Sequence, residues 1–123
     1  VVGELLDALE VEGIDISRIG LHFHNTRNTG LANIIIAMQR GVSRFDAAIG
    51  GLGGCPYSPG ATGNVATEDV VHMVEDLGVT TGIDLEHLIE CGQLAEQLVG
   101  RQLPAQVLRS GPRTRTVVTE ELL

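Results

Sequence analysis

Ile19-Gly20-Leu21-His22-Phe23-His24-Asn25-Thr26 alternates in side-chain character as far as His24. On a β-strand successive side chains point to opposite faces, so Ile19, Leu21 and Phe23 share one face and Gly20, His22 and His24 the other. The spacing delivers two imidazoles to a common side at the end of a strand. Further along, Gly50-Gly51-Leu52-Gly53-Gly54-Cys55-Pro56-Tyr57 runs on to Gly63-Asn64, a glycine-dense loop with a lone cysteine at its centre and a carboxamide at its exit. Two imidazoles, an amide oxygen and a nearby thiol suggest a metal site with a proton donor beside it. That combination points to carbon chemistry rather than to a bare scaffold.

Outward from this strand the chain reads as alternating β and α segments. Thr29 is placed to cap a helix running to about Arg40, with Leu31, Ile34, Ile35 and Met38 at helical spacing and Gly41 as the stop. Arg44 to Ile49 alternates again, with Phe45, Ala47 and Ile49 on one face and Asp46 and Ala48 on the other. Thr67, followed by Glu68 and Asp69, opens a third helix with acids at its positive end, and Gly78 ends it. Asp84 caps a fourth helix that carries Leu85, Leu88, Ile89, Ala95 and Leu98 before Gly100. Ahead of the first strand, Val1, Val2, Leu5, Leu6, Ala8 and Leu9 form the apolar side of a helix that stops near Gly13. The chain opens inside that helix and so reads as cut at its start. From Arg101 onward Pro104, Gly111, Pro112 and four arginines read as a loose polar tail, which divides the chain into 1–100 and 101–123.

Strands alternating with helices predict an α/β fold with a parallel sheet, open or closed into a barrel. In both arrangements ligands gather at the C-terminal ends of the strands. His22 and His24 end one strand and the glycine loop leaves the next, so both features fall on the same edge. Two strands cannot close a barrel, and others must complete the fold.

Composition narrows the function. The net charge of −8 and the scarcity of aromatic residues argue against nucleic-acid binding. All eight basic residues are arginines, so no lysine can form a Schiff base, and an aldol-type cleavage would need a metal electrophile. No stretch approaches the ~20 apolar residues of a membrane span, and no basic-then-apolar leader is visible. Cys55 and Cys91 do not resemble a disulfide framework, which suits a reducing cytosol.

Each signal has an ordinary counterpart. Read from the residues alone, the histidine pair serves metal binding or simple packing equally well. His72 and His87 lie on helices without such company and read as surface or packing residues. Asn25 reads as a turn cap or as a residue that orients a ligand, and Asn64 as a helix cap. The loop from Gly50 to Gly63 exceeds the ~2–6 residues usual between a strand and a helix. It lacks the Gly-Lys-Ser/Thr ending of a phosphate loop and the Gly-x-Gly-x-x-Gly spacing of a dinucleotide site. Cys55, on a loop, is the better candidate for a reactive thiol, and Cys91 reads as packed within the fourth helix.

His22-Phe23-His24-Asn25-Thr26, Gly30-Leu31-Ala32-Asn33, the cysteine loop and Gly60-Ala61-Thr62-Gly63-Asn64-Val65-Ala66-Thr67-Glu68-Asp69 together resemble the 3-hydroxy-3-methylglutaryl-CoA lyases. These belong to a wider family of metal-dependent lyases and synthases built on a TIM barrel. The resemblance covers residues 1 to about 100, and the cysteine loop is its most specific element. It implies the C-terminal β/α units of a (β/α)8 barrel, incomplete in this chain, with His22 and His24 on the seventh strand and the loop after the eighth. It implies a divalent cation, Mg²⁺ or Mn²⁺, bound by His22, His24 and Asn64, with the aspartate ligand and catalytic arginine of the first strand lying outside this sequence. His22 would also relay a proton, and Cys55 would protonate the enolate carbon or exclude water from it. The implied reaction cleaves 3-hydroxy-3-methylglutaryl-CoA, or a related 3-hydroxyacyl-CoA, to acetyl-CoA and a 3-oxo acid, as in leucine degradation. An acyl-CoA substrate, a cytoplasmic location and a homo-oligomer at full length go with it. Asn25 stands where the better-known lyases have aspartate, and Arg27-Asn28 where they have Tyr-Gly, which leaves the acyl group open. Two other readings are an acetyl-CoA/2-oxo acid condensing synthase of the same family and a non-catalytic fragment. Synthases typically place Asn-Asp after the histidines and Glu-Arg in the later loop, where this chain has Asn25-Thr26 and Cys55-Pro56.

Overall fold

A computed structural model describes residues 1–55 and 57–113. The elements run α1 (Val2–Val11), a 3-10 turn (Ile16–Arg18), β1 (Gly20–His22), α2 (Gly30–Gln39), β2 (Arg44–Asp46), a second 3-10 turn (Ile49–Gly51), α3 (Thr67–Asp76), α4 (Leu85–Val99) and α5 (Val107–Ser110). β1 and β2 are parallel neighbours with Gly20 beside Arg44, Leu21 beside Phe45 and His22 beside Asp46. Parallel pairing requires a crossover, and α2 supplies it.

The apolar alternation chooses the packed face. Leu21, Phe45 and Ile19 lean on a core of Leu6, Ile16, Ala37 and Val42, drawn from α1, the first 3-10 turn and the α2 end. The opposite strand face carries His22 and Asp46, whose side chains are 47% and 83% exposed. Arg40, at the end of α2, ties that helix to α1 by ion pairs to Asp7 and Glu10.

Both strands are shorter than their alternation predicts. His24 does not continue β1 but forms an isolated antiparallel bridge with Asn64, and Ala48 bridges Ala66. At Gly50 and Gly51 the backbone turns left-handed (φ 61° and 74°), which no strand accommodates. Thr29 holds the N-cap position of α2 but makes no side-chain cap bond. Asn25 caps instead, its Oδ1 accepting from the Gly30 N–H at 3.0 Å. Asp84 caps α4 as expected, accepting from the His87 N–H at 3.1 Å. Cys91, expected to be packed, is exposed. It lies two positions from buried Ile89, roughly 200° around the helix.

The largest departure follows Gly100. Leu103 and Ala105 are fully buried, and Val107 and Leu108 nearly so, in a second core with Ala66 and Ile89. Carboxylates hold this strap's backbone: Glu96 Oε1 accepts from the Leu103 N–H at 2.7 Å, and Asp69 from those of Gln106 and Val107 at 3.1 and 2.8 Å. The expected loose tail from Arg101 is therefore a packed strap over residues 101–113, and the rest of that expectation, 114–123, lies outside the described residues. Arginine and proline content hid four apolar anchors that bury themselves at close intervals. Among the described residues no helix is long and apolar enough to cross a membrane.

Candidate metal centre

His22 ends β1 and His24 follows it on the same side. Their rings meet edge to face, with centroids 5.3 Å apart and planes at 72°. The chain leaving the glycine loop then runs back alongside them. Asn25 N–H donates to Gly63 O at 2.7 Å and Val65 N–H to Phe23 O at 3.2 Å, which sets Asn64 directly opposite His24. Facing residues of an antiparallel pair hold their Cβ atoms about 4.5–5.5 Å apart on one side of the ladder. His22, His24 and Asn64 are thus gathered by one strand end and one returning loop.

The carboxamide of Asn64 is also oriented. Its Nδ2 donates to Leu52 O at 2.8 Å, which commits the nitrogen to the loop and leaves Oδ1 as the atom that could accept or ligate. Asn64 does not cap α3, whose N-cap is Ala66. His22 has a further neighbour absent from the sequence reading of the site: Asp46 Oδ2 lies 4.0 Å from its Nδ1. The parallel register that sets Asp46 beside His22 was the signal that could have found it. Thr26 Oγ1 is buried without a hydrogen-bond partner among the described residues.

Cys55 is half-buried and sits just past a narrow neck in the loop. At that neck Gly63 (φ 80°) packs on Gly53 and Gly54 so closely that a Cβ on Gly63 would lie 2.4 Å from Gly53 O. Only glycine fits there. The contacts therefore assemble His22, His24 and Asn64, with Cys55 joined to them through the neck. His72 and His87 stand apart, as expected: His72 Nε2 accepts from the Arg113 N–H at 3.2 Å, and His87 Nδ1 lies 3.1 Å from Asp84 Oδ2. The backbone N–H of His87 holds the exposed Asp84 carboxyl below its ordinary value.

One further polar residue escaped the sequence reading. Glu68, in the first turn of α3, is fully buried, and both its oxygens accept from the Gly50 N–H, at 2.9 and 2.8 Å. Burial pushes its carboxyl above the ordinary value, against the opposing pull of the Glu68 and Gly50 N–H groups.

Two imidazoles and an amide oxygen on one edge fit a divalent cation with open positions left for other oxygen ligands. Among the described residues no group of three or more His, Cys, Asp or Glu side chains could hold a metal ion.

A match to the HMGL-like family spans residues 1–95. The chain belongs to the HMGL-like family. It is 52% identical over 101 residues to the (R)-citramalyl-CoA lyase of Chloroflexus aurantiacus, covering 82% of this chain and 32% of that protein. It is 47% identical over 93 residues to the hydroxymethylglutaryl-CoA lyase YngG of Bacillus subtilis, covering 76% and 31%. The crystal structure of the Bacillus subtilis HMG-CoA lyase superposes with a TM-score of 0.85 at 44% identity, covering 89% of this chain and 36% of that one. An HMG-CoA lyase from Acinetobacter baumannii, solved in complex with coenzyme A and 3-methylmalate, gives 0.85 at 44% identity, covering 94% and 38%. The chain spans about a third of the length of these relatives. Its fold is accordingly β/α units of the HMGL-like TIM barrel, incomplete in this chain.

Proposed function

We propose that the full-length protein is a divalent-metal-dependent carbon–carbon lyase that cleaves 3-hydroxy-3-methylglutaryl-CoA, or a related 3-hydroxyacyl-CoA, to acetyl-CoA and an oxo acid. The observation that carries this reading is the placement of His24 opposite Asn64, with His22 beside them, in a chain of the HMGL-like family. His22, His24 and Asn64 would hold the divalent cation, Mg²⁺ or Mn²⁺. The bound cation supplies Lewis acidity towards the substrate's hydroxyl and carboxylate oxygens. The hydroxyl proton passes to a base as the carbon–carbon bond breaks and the hydroxyl carbon becomes a ketone, and His22, when not bound to the cation, would relay it. The electron pair of that bond passes to the departing acetyl-CoA enolate, whose carbon then receives a proton from Cys55. Two free thiols, Cys55 and Cys91, suit a reducing compartment.

The (R)-citramalyl-CoA lyase relative, at 52% identity, favours citramalyl-CoA as a second substrate reading. Both substrates release acetyl-CoA, but hydroxymethylglutaryl-CoA leaves acetoacetate and citramalyl-CoA leaves pyruvate. The test is a coupled assay for acetyl-CoA on the full-length protein with each substrate, identifying the ketone formed. Release with one of them, abolished by EDTA and restored by Mg²⁺ or Mn²⁺, is the expected result. No release from either substrate would refute the lyase reading.

A further inference from the structure

Glu68 is the only buried charged side chain among the described residues, and nothing proposed above uses it. No arginine or histidine is paired with it among the ion pairs of the described residues. A buried carboxylate without a cation is costly unless hydrogen bonds replace its water. Here the replacement comes from backbone N–H groups, its own and that of Gly50, which reaches both oxygens. The positive end of α3 adds a favourable field.

Gly50 is enclosed from the other side too. Ala105 N–H donates to its carbonyl at 3.2 Å, and a Cβ on Gly50 would fall 2.3 Å from Leu103 Cδ1. With φ at 61° and its successor Gly51 at 74°, Gly50 is where the chain turns out of the β2 direction into the loop that carries Cys55. Two residues on, Leu52 O receives the amide of Asn64. A continuous set of short contacts therefore runs from Glu68 through Gly50 and Leu52 to Asn64, which faces His24.

We propose that Glu68 is a positioning residue that fixes the root of the Cys55 loop through the Gly50 N–H, and so sets where the thiol and the Asn64 amide sit. The catalytic part of this proposal rests on the lyase reading; the positional part does not. A hydrogen-bonding role predicts that Gln, which keeps the shape and one acceptor, retains much of the effect. A purely space-filling role predicts no difference between Gln and an apolar residue of similar size.

The experiment compares Glu68→Gln, Glu68→Met and wild type as full-length proteins, with alkylation read at the peptide that carries Cys55. Iodoacetamide labelling of Cys55 is followed by mass spectrometry, alongside metal content, Tm, and kcat and KM for acetyl-CoA release. In Glu68→Met the labelling rate should shift by about tenfold and kcat fall by about 10–10²-fold, as loss of position alone can cause. KM should change little and metal content should stay near wild type, while Glu68→Gln recovers most of both losses. Equal labelling rates in all three proteins would overturn the proposal, whether or not the protein is a lyase. So would a kcat loss shared equally by Gln and Met. If wild type shows no acetyl-CoA release, the lyase reading fails while the labelling comparison still decides the role of Glu68.

Discussion

Gly92→Ala sets two effects of opposite sign against each other. Gly92 is buried within α4, and in an exposed helix interior alanine would stabilise by about 0.8–1.0 kcal/mol over glycine. Here the new Cβ would stand 2.4 Å from Glu68 Oε1, 2.4 Å from Leu108 Cδ2 and 3.2 Å from Leu108 Cδ1. Ordinary contact is 3.4–4 Å, so the first two atoms must each retreat by roughly 1 Å. Both are ends of side chains that could swing away in open space, but Glu68 is fully buried and Leu108 is 7% exposed. Overpacking of this kind costs about 1–3 kcal/mol, and drawing a buried carboxylate off its donor costs about 1–3 kcal/mol more. The losses outweigh the helix gain, and the substitution should destabilise the protein by roughly 1–5 kcal/mol. Urea unfolding of the full-length protein, read at the unfolding midpoint with an unchanged slope, measures it. The cost should shrink when Gly92→Ala is introduced together with Glu68→Ala, because the two sites are in contact. A Gly92→Ala protein as stable as wild type, or more so, would show that the carboxylate does not occupy the space described.

Leu103→Ala should cost about 2–5 kcal/mol in the same unfolding assay, because Leu103 is fully buried over Gly50; a change near zero would return the strap to a loose tail. Cys55→Ser should lower kcat by roughly 10²–10⁴-fold, the usual contribution of a positioned proton donor, with metal content unchanged by elemental analysis. Glu68, whose folded-state carboxyl is raised by burial with Asp69 and Glu96 adding like charge, binds its proton more tightly folded than unfolded. Wild-type stability from this group is therefore full below the unfolded carboxyl value and is lost as pH rises through the folded one. Relative to wild type, Glu68→Gln should then look least favourable in acid and progressively better toward neutral pH; a pH-independent difference would refute the assignment.

The site was legible where its chemistry is local. The i, i+2 spacing of His22 and His24 fixes a shared face on a strand, and the rings do meet. Asn64 drew notice as the residue leaving the loop, but its place opposite His24 depends on the loop doubling back, which residue spacing does not encode. Glu68 read as a partner for the helix dipole because its real partner, the Gly50 N–H, lies eighteen residues away. The strap was hidden by composition: polar residues outnumber Leu103, Ala105, Val107 and Leu108, yet those four decide the packing. Asn25 took the capping role expected of Thr29 because the chain turns between them. That turn passes through Asn28 with φ at 59°, a left-handed conformation asparagine tolerates better than most residues.

The central claim is that His22, His24 and Asn64 together hold a divalent cation. The most direct measurement is the Mn²⁺ content of the full-length protein by elemental analysis after gel filtration, for wild type and for His24→Ala. The account predicts near-stoichiometric Mn²⁺ in wild type and almost none in His24→Ala at matched folded content by circular dichroism. Equal metal content in the two proteins would contradict it.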